Sequence, residues 1–170
     1  MKSKFPKETF TTTTEIVLPN DTNALGNLHG GKLMLWMDVV SAISASRLCN
    51  QVVVTASVNN ISFREGIKLG SIVTLEAKVS RSFHTSMEVV IDVWVEDRKT
   101  GEKKKHNEAI FTFVALDHNG KPIAVPEIIP ETEEEKKRFD GALRRRQLSL
   151  ILAGKMKPDE ATELKALFIK

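Results

Sequence analysis

The residues with the clearest chemical potential lie in the segment NALGNLHGGKLMLWMD, positions 23–38. Asp38 follows a run that is almost wholly apolar and includes Met34, Leu35 and Met37. Burial among such side chains disfavours a charged carboxylate and is expected to raise the pKa of Asp38, which suits a general base or a nucleophile. A structural carboxylate, hydrogen-bonded by a neighbouring loop, is an alternative interpretation of the same pattern.

Gly30 and Gly31 stand where a helix is predicted to begin. Unpaired backbone N–H groups at a helix N-terminus can polarise a carbonyl oxygen, and the missing side chains let a substrate approach the backbone closely. Asp38 follows Gly31 by two helical turns and is expected on the same side of the helix. A tight turn without a ligand would also explain the glycine pair. Asn23 could position a water molecule or a carbonyl group, although a turn-capping role is the simpler interpretation.

One helix and five strands must position these groups. The helix is predicted over residues 30–48 and is apolar nearly all round, which is typical of a buried helix. Strand-like segments cover residues 11–18, 52–63, 72–82, 87–96 and 109–116, and the Lys103–Lys105 run between the last two is interpreted as an exposed hairpin tip. Strands that follow one another without helices imply an antiparallel sheet. The sequence therefore predicts an α+β fold in which a five-stranded antiparallel sheet wraps around a central helix, with dimers formed by pairing of sheet edges.

The composition changes after Val125. The segment PETEEEKKRF begins a charged helix, with Thr132 as the expected N-cap and Glu135 in the capping-box position. This helix is predicted to end before Gly154, and a short last helix to begin at Pro158. The chain is accordingly divided into a core domain, residues 1–140, and a C-terminal helical extension, residues 141–170.

Composition excludes several classes of function. The 170 residues carry a formal net charge of +3, there are no tyrosines, and no basic stripe is interleaved with aromatic residues, so a nucleic-acid binder is disfavoured. The histidines and the single cysteine, Cys49, lack the spacing of metal ligands, and Cys49 is expected to be a buried apolar filler. The N-terminal residues lack a secretory apolar segment, and no apolar run could span a bilayer, so we expect a soluble cytoplasmic protein without membrane partners.

Three ordered segments carry a resemblance to a known family: PNDTNALGNLHGGKLMLWMD, VVTASVNNISF and EAIFTFVALDHNGKPIAVPEIIPETEEEKKRF. Together they resemble the hotdog-fold acyl-CoA thioesterases of the cytosolic acyl-CoA hydrolase family, over residues 11–139. The resemblance implies a hotdog fold and hydrolysis of acyl-CoA to a carboxylic acid and coenzyme A, without a metal or organic cofactor. It also implies that Asp38 and Asn23 form the catalytic pair from opposite members of a dimer, that the His29-Gly30-Gly31 turn lies at the thioester, and that the assembly is a trimer of dimers.

Coenzyme A carries phosphate groups, so its nucleotide end is expected to contact arginine or lysine side chains. Candidates are Arg64, Lys68, Arg81 and the lysine run, and the family resemblance favours Arg81 together with Ser86 in the segment RSFHTSM. Two other functions stay open. One is a non-catalytic acyl-CoA-binding hotdog module, and the other is a hotdog enoyl-thioester hydratase, which would need a His/Asp or His/Glu pair that the four histidines do not offer in sequence.

Overall fold

The structure, a computed structural model, describes residues 1–59, 61 and 65–168. Its strands are β1 (Thr11–Ile16), β2 (Val52–Asn59), β3 (Ile72–Ser82), β4 (Ser86–Glu96) and β5 (Lys103–Leu116). Its α-helices are α1 (Pro6–Thr9), α2 (Gly30–Cys49), α3 (Glu133–Leu152) and α4 (Thr162–Lys165), with short 3-10 turns at Pro19–Asp21 and Pro158–Glu160. In the part of the chain that these ranges cover, no helix has the length and apolar character needed to cross a membrane.

The five strands form one antiparallel sheet in the order β1-β3-β4-β5-β2. Alternate side chains of β3, such as Val73 and Leu75, are buried on the inner face, where they meet Leu33 and Met37 of α2. Helix α2 packs against all five strands. The predicted α+β fold, with a sheet wrapped around one central helix, is therefore confirmed.

Helix α3 lies against the outer face of the sheet and is attached by ion pairs. Arg145 donates two hydrogen bonds to Glu88 of β4, at 2.9 and 2.7 Å, and Arg138 pairs with Asp92 at 2.9 Å. Burial alone would raise the pKa of Asp92, but hydrogen bonds from Lys105 and Arg138 outweigh it and lower the pKa. The predicted capping box is present, since Glu135 N–H donates to Thr132 Oγ1 at 3.2 Å. The helix runs without interruption through residues 140 and 141, where the sequence analysis divides core from extension, so that division stays a prediction.

The interpretation of Lys103–Lys105 as a hairpin tip is wrong. The turn occupies residues 97–102, and the three lysines already belong to β5, where Lys103, Lys104 and Lys105 pair with the end of β4. Lysine has a low intrinsic preference for strands, but backbone pairing with a long neighbouring strand outweighs it. The second strand is predicted to continue to residue 63, and residues 60, 62 and 63 of that prediction lie outside the described residues.

Candidate active site

The N-terminus of α2 supplies unpaired backbone donors. The helix begins at Gly30, with His29 as N-cap, and its first backbone hydrogen bond runs from Leu33 N–H to His29 O at 3.0 Å. The N–H groups of Gly30 and Gly31 therefore have no acceptor within the helix. A Cβ at Gly31 would meet nothing within 4 Å, so there is open space beside this turn. The His29 side chain is exposed.

Asp21 holds the loop that leads into this helix. Its backbone carbonyl accepts a hydrogen bond from His29 N–H at 2.8 Å, and its side chain accepts one from Leu18 N–H at 3.1 Å and pairs with Lys32 at 3.1 Å. The hydrogen bond from Leu18, followed by the contact with Lys32, lowers the pKa of Asp21. Asp21 is thus a charged anchor for the helix start.

Asn23 lies beside the helix N-terminus. Its Oδ1 accepts hydrogen bonds from the N–H groups of Leu25 at 2.9 Å and Asn27 at 3.2 Å, so it does cap a turn. Asn23 and Gly30 nevertheless line the same cleft, of about 340 Å³, together with His106. The structure therefore brings Asn23 and the start of α2 together, as expected from their closeness in sequence.

Asp38 is half-buried, which differs from the full burial that its apolar neighbours suggested. Its Oδ1 accepts a 2.6 Å hydrogen bond from the Oγ1 of Thr55, a residue of β2. The β2–β5 register shifts directly after Thr55, which is typical of a bulge that re-aims a side chain. Sequence reasoning placed Thr55 on the strand after the helix but missed this contact, because no local pattern links two residues in different elements.

One chain does not bring Asp38 to Asn23. Asp38 lines a separate, open cleft of about 500 Å³ with Val39 and Ile43. Seven residues of helix separate Gly31 from Asp38, which corresponds to about 10 Å along the axis. A single helix therefore cannot bring both the N–H groups at its start and the Asp38 carboxylate to the same carbonyl group.

An apolar face surrounds Asp38. It consists of Leu35, Val39 and Ile43 on α2, which are 54%, 49% and 43% exposed, and of Val52 and Val54 on the edge strand β2, which are 68% and 43% exposed. The sequence predicted a helix buried on all sides, but the sheet of one chain covers only one side of α2. Exposed apolar surface next to an open sheet edge is typical of an interface between protein chains.

Arg81 and Ser86, the coenzyme A contacts that the family resemblance favours, lie elsewhere. The Arg81 guanidinium stacks on the Phe139 ring at 4.0 Å and donates to Phe139 O at 3.0 Å, while Ser86 Oγ accepts a hydrogen bond from Arg146 at 3.0 Å. Burial lowers the pKa of both arginines. Both contacts are to α3 on the outer face, so a single chain does not bring Arg81 and Ser86 to the Asn23 cleft. Arg64 lies outside the described residues.

Cys49 is buried, and burial raises the pKa of its thiol, which opposes a nucleophilic role. Within the ranges 1–59, 61 and 65–168, no group of three His, Cys, Asp or Glu residues is placed to hold a metal ion.

Comparison with known proteins places this arrangement in a family. The thioesterase superfamily model matches residues 25–102, which include Asp38 and Thr55. A Bacillus subtilis protein named uncharacterized acyl-CoA thioester hydrolase YkhA is 42% identical over 144 residues, which cover 85% of this chain and 84% of that one. The chain belongs to the thioesterase superfamily.

Solved structures of thioesterases share its fold. A hexameric acyl-CoA thioesterase in its apo form has a TM-score of 0.86 and 37% identity, and the alignment covers 90% of this chain and 98% of that one. An acyl-CoA hydrolase from Staphylococcus aureus has been solved in complex with butyryl coenzyme A, coenzyme A and coenzyme A disulfide. It has a TM-score of 0.82 and 35% identity, and the alignment covers 90% of this chain and 95% of that one. Three alanine variants of the Staphylococcus enzyme have also been solved. They replace an asparagine, an aspartate 15 residues after it, and a threonine 17 residues after that. The predicted hotdog fold is confirmed.

Proposed function

We propose that this thioesterase uses Asp38 to hydrolyse acyl-CoA to a free carboxylic acid and coenzyme A. The observation that carries the assignment is the Asp38 carboxylate, held by Thr55 at 2.6 Å on an open face of α2. Asn23, Asp38 and Thr55 are separated by 15 and 17 residues, the same spacing as the three replaced positions of the Staphylococcus hydrolase. The named activity of the relatives supports the same reaction.

The chemistry follows from these groups. Thr55 occupies one carboxylate oxygen of Asp38 and leaves the other to accept a proton from water or to attack the thioester carbon directly. Either route places negative charge on the carbonyl oxygen, which the N–H groups of Gly30 and Gly31 would stabilise. In the general-base route the water oxygen bonds to the acyl carbon, the carbon–sulfur bond breaks, and the proton taken by Asp38 passes to the coenzyme A thiolate. In the nucleophilic route the carbon–sulfur bond breaks to leave an acyl–Asp38 anhydride, which water hydrolyses to the free acid and the regenerated carboxylate, and the proton released protonates the thiolate. No metal or organic cofactor takes part in this proposal.

The complete site is proposed to form between two chains. Asp38 and Asn23 line different clefts of one chain, and about 10 Å of helix separates Asp38 from Gly31. A second copy related by a two-fold axis would cover the apolar face and pair its β2 with the open β2 edge. Asp38 of one chain would then face Asn23, His29, Gly30 and Gly31 of the other.

A trimer of such dimers is the proposed full assembly, and the hexameric relative supports it. Arg64, Arg81 and Ser86 stay predicted coenzyme A contacts. Since Arg81 and Ser86 lie on the outer face of the sheet, they would contact a nucleotide held mainly by another subunit. The cytoplasmic location expected from the sequence also stays a prediction.

A thiol-release assay over acyl groups of different length and branching tests the proposal. Acyl-CoA hydrolysis is expected to release one coenzyme A per acid formed, with turnover that continues well beyond one equivalent of enzyme. Tight acyl-CoA binding without thiol release would support the non-catalytic module instead. Hydration of an enoyl-CoA with the thioester left intact would support the hydratase.

A further inference from the structure

His106 is a bulged residue of β5. Val93 of β4 pairs with Asn107 and the next residue, Trp94, pairs with Lys105, so His106 is the extra residue between them. Such bulges change the direction of a side chain and are frequent next to active sites. Here the bulge places His106 in the cleft that Asn23 and Gly30 line.

Three polar atoms of residues that line this cleft are not satisfied by the protein. Both ring nitrogens of His106 and the Oδ1 of Asn27 are buried and have no hydrogen-bond partner among the described residues. Gly66 makes room for the Asn27 amide, since a Cβ at Gly66 would lie only 2.6 Å from Asn27 Cγ. Buried polar groups are nearly always paired in folded proteins, so unpaired ones in a shared cleft point to a polar ligand.

His106 also lines a second cleft, of about 470 Å³, which shares Gly66 and Ile67 with the first. The first cleft contains Gly30, one of the two residues whose N–H groups are proposed to hold the carbonyl. The second is lined by three lysines, Lys68, Lys104 and Lys105, and by three acidic residues, Glu65, Asp97 and Glu102. The two clefts therefore adjoin each other at His106, Gly66 and Ile67, with lysine and acidic side chains at the end remote from Gly30. The part of acyl-CoA that joins its thioester to its phosphates is the pantetheine arm, which contains two amides.

We infer that His106 and Asn27 bind the amides of this arm and make the enzyme selective for pantetheine-linked thioesters. An amide offers one N–H donor and one carbonyl acceptor. Asn27 Oδ1 can accept from an amide N–H, and a neutral histidine ring has one donor that can reach an amide carbonyl. This inference rests on the proposed acyl-CoA hydrolase function and adds two substrate-binding residues to it.

The test compares one acyl group carried on coenzyme A, on pantetheine and on 2-mercaptoethanol, which has no amide. His106→Leu is expected to lower kcat/KM roughly tenfold for the first two thioesters, mainly through KM, because a hydrogen bond to substrate is lost. The 2-mercaptoethanol thioester is expected to react at the wild-type rate. Asn27→Ala should show the same selectivity, and His106→Gln should recover part of the loss.

His118→Leu is the control, because His118 is exposed in the turn after β5. Thermal unfolding verifies that each variant folds, and the Asn27 variant tests the inference even if His106→Leu does not fold. Equal losses for all three thioesters, or no loss for any, would overturn the inference while leaving the proposed function intact. Failure of the wild-type protein to cleave any of them would instead contradict the proposed function.

Discussion

Replacing Asp38 with asparagine is expected to lower kcat for acyl-CoA hydrolysis by about 10²- to 10⁴-fold, the range typical of a lost general base. Asparagine has nearly the same shape and its Oδ1 can still accept the hydrogen bond from Thr55, so the position of the side chain is retained. It cannot take a proton from water or attack a thioester. Steady-state thiol release, with thermal unfolding to verify the fold, measures the effect.

Asp159→Asn provides the matched control. Asp159 is almost fully exposed, pairs with Lys165 at 3.0 Å and lies far along the chain from α2. The same chemical change there is expected to leave turnover unchanged. If the Asp38 variant turned over at the rate of the control, the assignment of Asp38 would have to be abandoned.

Replacing Ile43 with glutamate is expected to separate the dimer and to lower turnover by roughly 100-fold, the scale of loss when catalytic groups are misplaced. Ile43 is 43% exposed on the apolar face, one helical turn beyond Val39. A two-fold axis would place the new carboxylates near each other in a largely apolar interface, where unpaired charge is strongly unfavourable. Light scattering gives the mass, and the thiol-release assay gives the activity of the same sample.

Leu148→Glu makes the same change at a similarly exposed position of α3, outside the apolar face. It is expected to remain at least dimeric and active. A fully active, monomeric Ile43 variant would show that one chain contains a complete site, contrary to the separation of Asn23 and Asp38 in two clefts.

Local sequence patterns predicted most of the helices and strands, because the residues that favour these elements lie within the elements themselves. Alternating apolar residues in β3 gave its bounds, residues 72–82, and the Thr132–Glu135 capping box marked the start of α3. The Lys103–Lys105 run was assigned wrongly because its strand structure depends on pairing with β4, which no local propensity reports.

The candidate site was predictable only in part. Asp38 and the glycine pair stand out by residue type and spacing, and the role of Asn23 followed from the family resemblance. The Thr55–Asp38 hydrogen bond and the bulge at His106 depend on register in the sheet. The sequence could not predict that Asn23 and Asp38 line different clefts, because the spacing of residues along a helix does not show which side of the helix the other elements leave uncovered.

Mixing two inactive variants tests the central claim, a site shared between chains, most directly. The Asp38→Asn variant would be combined with Asn23→Asp, which keeps the side-chain oxygen that caps the Asn23 turn. It loses the amide N–H donor with which Asn23 is expected to position the water or the carbonyl group, so this variant is also expected to be inactive. In a randomly reassociated dimer population, about a quarter of all sites would be built from an intact Asp38 and an intact Asn23 of different chains. We predict that the mixture recovers about a quarter of the wild-type rate. A mixture no more active than the two separate variants, although mixed dimers have formed, would contradict the shared site.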